Sequence, residues 1–161
     1  MTDQTERFWD ILEGMQVCMV TTQDGGVMRS RPMAPYISRL ERTIRFVTDN
    51  DSAKICELQQ DRDIALSFAD TDRMLFASVS GTASVSRDRA RIREMWGPYC
   101  EVFFGSDPDT ADVAIIDVAA TQAEYWDNDK GKLALAFEMT RAYFLDDGPN
   151  LGENAKLNLA G

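Results

Sequence analysis

The chain has 161 residues, 44% of them apolar, and a formal net charge of −10 at pH 7. This composition predicts one globular domain with a substantial core, and the acidic balance excludes a basic surface for nucleic acid or for an anionic membrane. Apolar runs such as LALAF are too short to cross a bilayer. Histidine is absent, which excludes Ser-His-Asp and Cys-His catalysis and histidine-ligated metal sites.

The first half of the chain carries short alternating runs separated by turn residues. A first helix of about eight to ten residues, capped by Thr2 or Thr5, is predicted to end at Gly14. Prolines 32 and 35 favour an edge strand or a bulge within the second strand, and Ser52 is the predicted N-cap of a short helix. The strands predicted in this half are 17–22, 27–37, 43–49, 63–69 and 73–86.

The second half predicts a helix over 86–96, an ordered loop with about one helical turn, and then further strands. Those strands are 113–120, 122–127 and 132–144. Residues 1–146 would form one domain and 147–161, which lack periodicity, a C-terminal tail. Six or more antiparallel strands with a few short helices predict a mainly β structure, a barrel with flanking helices.

The three cysteines, Cys18, Cys56 and Cys100, are widely spaced. They cannot complete a Cys₄ zinc site, and the charged, amphipathic start MTDQTERFWDIL does not match a secretory signal. These features predict reduced thiols, a cytoplasmic protein and no bound metal. Any redox chemistry would then come from a bound cofactor.

Two arginines and a lysine lie near predicted strand ends. Arg29 and Arg31 are two residues apart and therefore share a face of a regular strand. Ser52 and Lys54 lie at a predicted helix N-terminus, where free N–H groups and the helix dipole favour an anion. Guanidinium groups suit a phosphate because they form bidentate, charge-assisted bonds. The alternative is surface arginines that pair with neighbouring carboxylates.

The segment EYWD, residues 124–127, also has two interpretations. Its aromatic residues can fill the wall of the sheet as a cross-strand pair, or Trp126 can cover a planar ligand. The acidic run at Asp107, Asp109 and Asp112 lacks the glycine and final glutamate of an EF-hand. A solvated acidic turn is the predicted structure there.

Five segments in this order resemble the FMN-binding split barrels related to pyridoxamine 5′-phosphate oxidase, especially their general stress protein branch. The segments are RSRPM (29–33), FVTDNDSAK (46–54), VSGTASV (79–85), AEYWD (123–127) and GPNLGEN (148–154). The similarity covers about residues 5–146. It implies a six-stranded antiparallel split barrel that forms a homodimer, with one FMN in each of two clefts between the subunits.

The resemblance also implies which residues bind the cofactor. Arg31, Pro32 and Met33 would line the flavin, Ser52 and Lys54 would clamp its phosphate, and the partner would place its Trp126 against the ring. A departure is Ala53, where the family has an arginine. The implied set is Arg29, Ser30, Arg31, Pro32, Met33, Val47, Thr48, Ser52, Lys54 and Trp126.

The resemblance does not extend to the residues with which the oxidase binds its substrate. The C-terminal Arg-x-His segment of the oxidase has no counterpart, and the glutamine that relatives use near the ring falls near Phe76 or Ala77. The leading interpretation is a flavin-dependent oxidoreductase that acts on an unknown small molecule, with no assigned catalytic residue. The alternatives are a non-catalytic module that sequesters flavin or senses stress, and a scaffold without flavin. FAD in place of FMN stays open.

Overall fold

The computed structural model describes residues 3–128, 131–145, 148 and 152–160, with only the backbone of 131–134. Alternating buried and exposed side chains define the strands, as expected for a sheet with one face on the core. The strands are β1 (Cys18–Asp24), β2 (Val27–Met33), β3 (Tyr36–Ser38), β4 (Thr43–Asp49), β5 (Asp63–Asp70), β6 (Leu75–Ser86), β7 (Val113–Asp127) and β8 (Glu153–Asn158). The helices are α1 (Asp3–Glu13), α2 (Ala53–Gln60), α3 (Arg89–Met95), α4 (Pro98–Phe104) and α5 (Gly131–Leu145).

The strands form one eight-stranded sheet with the order β2-β1-β5-β6-β7-β4-β3, and β8 also pairs with β7. Every pairing is antiparallel. Strands β2 and β3 form the two ends of this path and do not pair in the part of the chain that the structure describes. Pro32 therefore lies on an edge strand, as predicted, because proline cannot donate a ladder hydrogen bond.

A shift of register separates Ser80 from Gly81 where β6 pairs with β7. A Cβ atom at Gly81 would lie 2.2 Å from the carbonyl oxygen of Ala119. Only glycine allows this approach of two backbones. The shift lets β6 and β7, the two longest strands, bend together.

The main hydrophobic core packs residues of α1 against residues of the strands. Phe8, Ile11 and Leu12 of α1 are buried in the same cluster as Val20, Leu66 and Val79 of the strands. A second, smaller cluster joins Ile92 of α3 to Val113 and Ile115 of β7. No helix in the described residues has the length and apolar character needed to cross a membrane.

The mainly β, antiparallel fold with flanking helices is confirmed, but several elements differ from the sequence-based expectation. The sheet is open, which is consistent with the expected split barrel, and has eight strands where six were expected. Segment 113–127 is one continuous strand, and 98–104 forms a full helix in place of a loop.

The expected strand at 132–144 is wrong, because this segment lies in helix α5. Its many Ala, Leu, Met, Lys and Glu residues are strong helix formers, and it has one β-branched residue, Thr140. Residues 153–158 form β8, although 147–161 have no visible periodicity. Ala155 and Leu157 of β8 are buried in the main core.

Candidate functional site

Arg29 and Arg31 lie on the core-facing side of β2, at the edge of the sheet. Their neighbours across the strand pair are Thr22 and Val20 of β1, both buried. Directly opposed residues share a face, so the two arginines lie together. Strand alternation had predicted this arrangement.

A buried carboxylate from α2 holds the arginines. Arg31 Nη2 donates to Glu57 Oε2 at 2.8 Å, and Arg29 Nη1 lies 3.5 Å from Glu57 Oε1. The Thr22 hydroxyl donates to Glu57 and accepts from Arg31, which closes a three-membered network. Arg29 also donates to Asp24 Oδ2 at 3.0 Å. Each arginine therefore has a carboxylate partner within the chain.

Glu57 is charged in this setting. Burial raises the pKa of its carboxyl, but the hydrogen bonds from Thr22 and Arg31 and the charges of Arg31 and Arg29 outweigh burial, so the net pKa is lowered. Its side chain is 4% exposed, and Oε1 has no hydrogen-bond partner. The network thus holds a charged carboxylate in the interior, and Arg29 approaches its second oxygen to 3.5 Å.

Lys54 lies at the start of α2, beside this network. Its ammonium group makes no hydrogen bond or ion pair with the residues that the structure describes. Burial and the charge of Arg31 lower the pKa of its ammonium group, although Asp49 and Glu57 act in the opposite direction. A half-buried ammonium with no direct partner needs an anion, or it loses part of its charge.

The start of α2 also presents uncapped backbone donors. Ser52 is the N-cap, and its side chain makes no capping hydrogen bond. Its hydroxyl lies 3.4 Å from the hydroxyl of Thr48, the last buried residue of β4. The first N–H groups of the helix and the two hydroxyls therefore lie next to Lys54, an arrangement that suits a phosphate group.

The other residues of the implied set lie on the opposite face of a strand or within a hydrophobic cluster. Ser30 lies on the opposite face of β2 and accepts from Thr21 at 3.1 Å, and Pro32 shares that face by alternation. Met33 is packed in the main core. Val47 packs against the smaller cluster around Ile92. Within one chain, these side chains do not surround the same space as Lys54.

Trp126 lies at the far end of β7, opposite Phe76 of β6 and Asn154 of β8. Thr48 pairs with Ala114 at the other end of the same strand. A strand rises roughly 3.3 Å per residue, so the length of β7 between these two ends keeps Trp126 away from the basic cluster of its own chain, which is Arg29, Arg31 and Lys54. The indole side chain is 41% exposed and lines an apolar cavity of about 220 Å³ with Met74, Phe76 and Leu135.

Thr22 and Glu57 were missed by the analysis of the sequence. Glu57 falls between Ile55 and Leu58, two apolar residues whose spacing of three indicates the inward face of a helix. An acidic residue beside such a pair is the available signal, since a buried carboxylate requires a partner. Thr22 gives no signal, because its partners lie on other elements.

The arrangement can bind an anion but offers little acid–base chemistry. Glu57 is held as a carboxylate by its partners, and no cluster of potential metal ligands occurs among the described residues. Cys56 is exposed on α2, while Cys18 and Cys100 are buried, and all three thiols are free.

Comparison with known proteins shows the family of the chain. The model of the pyridoxamine 5′-phosphate oxidase like family matches residues 3–150. The chain belongs to this family. The match covers the strand β2, the helix α2 and the strand β7 that carry the residues discussed above.

Solved structures of related proteins share the fold. A candidate general stress protein 26 from Jannaschia sp. CCS1 has a TM-score of 0.78 at 24% identity, over 98% of this chain and 99% of that chain. The general stress FMN/FAD binding protein from Xanthomonas citri has a TM-score of 0.66 at 30% identity, over 79% of this chain and 91% of that chain. The split-barrel expectation is therefore confirmed.

A curated relative is the protein bli-3 from Neurospora crassa. It is 33% identical over 118 residues, which cover 66% of this chain and 56% of bli-3. The chain thus spans about half the length of the curated relative that it matches.

Proposed function

We propose that this protein binds a flavin through its phosphate, with FMN as the physiological cofactor. The observation that carries the proposal is that the half-buried ammonium group of Lys54 has no ion pair in the described residues. This group lies beside Arg31 and the N-terminus of α2. Arg29 and Arg31 form ion pairs with Asp24 and Glu57, whereas Asp49 and Glu57 act on Lys54 only through their charge. A phosphate dianion would supply the direct anionic partner that Lys54 lacks.

Different residues of the chain would bind the phosphate and line the ring. Lys54, Ser52 and the first N–H groups of α2 would hold the phosphate, and Arg31 would support them from β2. Arg29, Ser30, Pro32 and Met33 would contribute along β2, and Val47 and Thr48 along β4. FAD remains the alternative, since the relative from Xanthomonas citri is an FMN/FAD binding protein.

The site is proposed to be completed by a second copy of the chain. Trp126 is 41% exposed and remote from the basic cluster of its own chain. A homodimer would place the partner's tryptophan over the ring. Helix α5 supports this proposal, because Phe137, Tyr143 and Phe144 are exposed by 68%, 85% and 78%. Such apolar surface usually marks a contact region.

The activity that we propose is flavin-dependent oxidoreduction of a small molecule. A bound flavin supplies hydride and electron transfer, while the protein supplies orientation and electrostatics. Arg29, whose side chain is 51% exposed, is the cation available to stabilise negative charge on a reduced ring. The free thiols agree with a reducing compartment such as the cytoplasm.

A second candidate, a non-catalytic flavin-binding or stress-sensing module, is favoured by one observation. The buried carboxylate of the site, Glu57, is engaged by Thr22 and Arg31. It is therefore not free to exchange a proton with a substrate. A hydride transfer to a flavin does not require such a group, so both candidates share the same cofactor site.

The decisive experiment is a paired spectral titration with FMN and with riboflavin, which lacks the phosphate. We expect the protein to perturb the visible band of FMN at stoichiometric ratios and to bind riboflavin at least about tenfold more weakly, because charged hydrogen bonds contribute about 1.5–3 kcal/mol. Equal affinity for the two compounds, or no binding of either, would refute the phosphate site.

Stopped-flow reduction then separates the two candidates. The FMN-loaded protein is mixed anaerobically with NADH or NADPH, and flavin bleaching is followed. Reduction faster than that of free FMN supports an oxidoreductase. Reduction no faster than that of free FMN with either donor supports the non-catalytic module.

A further inference from the structure

The sheet has an outer face, which points away from the main core. On the five strands that run from β2 to β7 in the sheet order, every second side chain belongs to this face. Pairing across the strands shows that these side chains share one side of the sheet. The outer face of the five strands is made of the odd-numbered residues of 19–23 and 63–69 and the even-numbered residues of 28–32, 76–80 and 122–126.

This outer face is poor in charge. Asp63, at one end of β5, and Glu124 are its charged residues, although 27% of the whole chain is charged. Asn154 Nδ2 donates to Glu124 Oε1 at 3.0 Å, so this carboxylate already has a partner in its own chain. Most of the face therefore lacks the charged groups that keep an ordinary protein surface in water.

Large apolar side chains are exposed on the same face. Met19, Met28 and Trp126 are exposed by 39%, 60% and 41%. Few charges together with exposed methionine and tryptophan are the composition found at the core of protein–protein interfaces. The outer face is therefore a candidate docking surface.

The partner that this face suits is a second copy of the chain. Two copies with a net charge of −10 each repel one another, and the repulsion is smallest where the facing surfaces lack charge. The five strands lie about 4.8 Å apart, and the seven residues of β1 span roughly 23 Å. With the relief of its side chains, a face of roughly 24 by 23 Å approaches about 800 Å², the area that each partner buries in a standard interface.

Strand β5 is the middle strand of these five. A twofold axis that runs along β5 in the interface would set β5 of each copy against β5 of the other, β1 against β6, and β2 against β7. Ala65, Ser67 and Ala69 lie on the outer side of β5. Their small side chains allow two sheets to pack closely at the axis.

The same symmetry would form two clefts. The outer face of a split barrel curves away from its middle strand, so contact along β5 leaves an opening on either side of the axis. One wall of each opening would be β2 of one copy, the edge strand that carries Arg29 and Arg31, and the other wall would include the partner's Trp126. Strands β2 and β7 lie at opposite ends of the five-strand series, so one chain does not supply both walls.

We propose that a second copy binds to this outer face around a twofold axis along β5, and that the contact places Trp126 of each copy opposite β2 of the other. The arrangement rests on the shared flavin site proposed above. It adds the surface, the symmetry and the residues at the axis.

The test places like charges on the axis. Ser67 is exposed in a single chain, so Ser67→Glu should leave the circular dichroism spectrum unchanged. Each new carboxylate would face the partner's, and the dissociation constant of the dimer should rise about tenfold or more. Ser106→Glu, at an exposed serine outside the sheet, is the matched control because it adds the same charge elsewhere. Sedimentation velocity from about 1 to about 100 μM gives both constants.

A pair of opposite charges tests the symmetry itself. Ser67→Lys alone should weaken the dimer, as Ser67→Glu does. An equimolar mixture of the two variants should associate about tenfold more tightly, or better, than either variant alone, since each carboxylate then faces an ammonium group. A residue that faces its own copy across a twofold axis gives this result.

Three results would overturn the proposal. One is sedimentation of the unaltered protein as a single copy up to about 100 μM, which would also remove the shared flavin site. A second is an equal dissociation constant for Ser67→Glu and Ser106→Glu, which would move the contact to another surface. The third is a mixture of Ser67→Glu and Ser67→Lys that associates no more tightly than either variant alone. None of these results bears on the phosphate site within one chain, which the titration of FMN against riboflavin tests in the unaltered protein.

Discussion

At the scale of single residues, Glu57 accepts hydrogen bonds from Thr22 and Arg31 and lies 3.5 Å from Arg29. Its side chain joins helix α2 to strands β1 and β2. A buried charge of this kind is tolerated only with good partners. It also fixes both arginines before any ligand arrives, which lowers the cost of ordering them on binding.

Replacement of this carboxylate should change how stability depends on pH. The lowered pKa of Glu57 in the folded protein means that its stabilising contribution is full above the ordinary glutamate value and is lost as pH falls through the lowered value. Glu57→Gln should therefore cost about 1–3 kcal/mol near neutral pH and lose less on acidification than the unaltered protein. Urea unfolding at about pH 7 and about pH 4 measures both effects.

The matched control is Glu94→Gln, an exposed glutamate on α3. It should leave both free energies of unfolding nearly unchanged. If Glu57→Gln retained the full loss of stability on acidification, the charged network around Arg31 would not contribute as described.

Lys54 gives the residue-level test of the proposed phosphate site. Lys54→Ala should weaken FMN binding by about 1.5–3 kcal/mol, the range for a hydrogen bond to a charged group, and should leave riboflavin binding unchanged. Lys54→Arg keeps the charge and should recover part of the affinity. Isothermal titration with both compounds gives the values, and an equal loss for FMN and riboflavin would show that Lys54 does not contact the phosphate.

At the scale of elements, Gly81 governs how β6 and β7 bend together. Gly81→Ala should lower the free energy of unfolding by roughly 1–3 kcal/mol or more, because its Cβ would collide with the backbone of Ala119. Gly97→Ala is the control, since no atom lies within 4 Å of a Cβ placed there. Chemical denaturation compares the two variants, and equal stabilities would mean that the strands can separate at the bulge without cost.

Most strands could be predicted from their sequence because their period is local. Ile64, Leu66 and Phe68 alternate with more exposed residues, and all three are buried. The N-cap at Ser52 also follows from local preference. Such elements need no knowledge of the rest of the chain.

The elements that were missed depend on distant partners. Helix α5 is apolar in most positions, and a continuous apolar run does not distinguish strand from helix. In β8, only Ala155 and Leu157 mark the alternation, and pairing with β7 makes them part of the core. The network of Glu57 likewise depends on Thr22, which is 35 residues away. Long-range pairing of this kind leaves no period in the sequence.

At the scale of the whole molecule, the net charge of −10 should influence self-association. Two copies repel each other, and salt screens that repulsion. If the proposed homodimer forms, its dissociation constant should decrease as salt is raised from about 20 to about 300 mM. Sedimentation velocity at both salt concentrations measures this, and a single-copy mass in both would contradict the shared site.

Trp126 links assembly to cofactor binding. Trp126→Ala should weaken FMN binding by about 1 kcal/mol or more, as expected for a lost aromatic contact, and should leave the circular dichroism spectrum unchanged because the side chain is 41% exposed. Leu40→Ala, at a residue that is 95% exposed, is the control. Wild-type affinity in Trp126→Ala would exclude the tryptophan from the flavin site.

Asp127 connects segments that are far apart in the sequence. Its carboxylate accepts from Arg7 of α1 at 2.5 Å, and its backbone pairs with Glu153 of β8. A ribosome must therefore synthesise about 150 residues after Arg7 before these three elements can dock. Until then the nascent chain exposes part of its interior, so chaperone capture during translation should be longer for this topology than for a protein built from local hairpins.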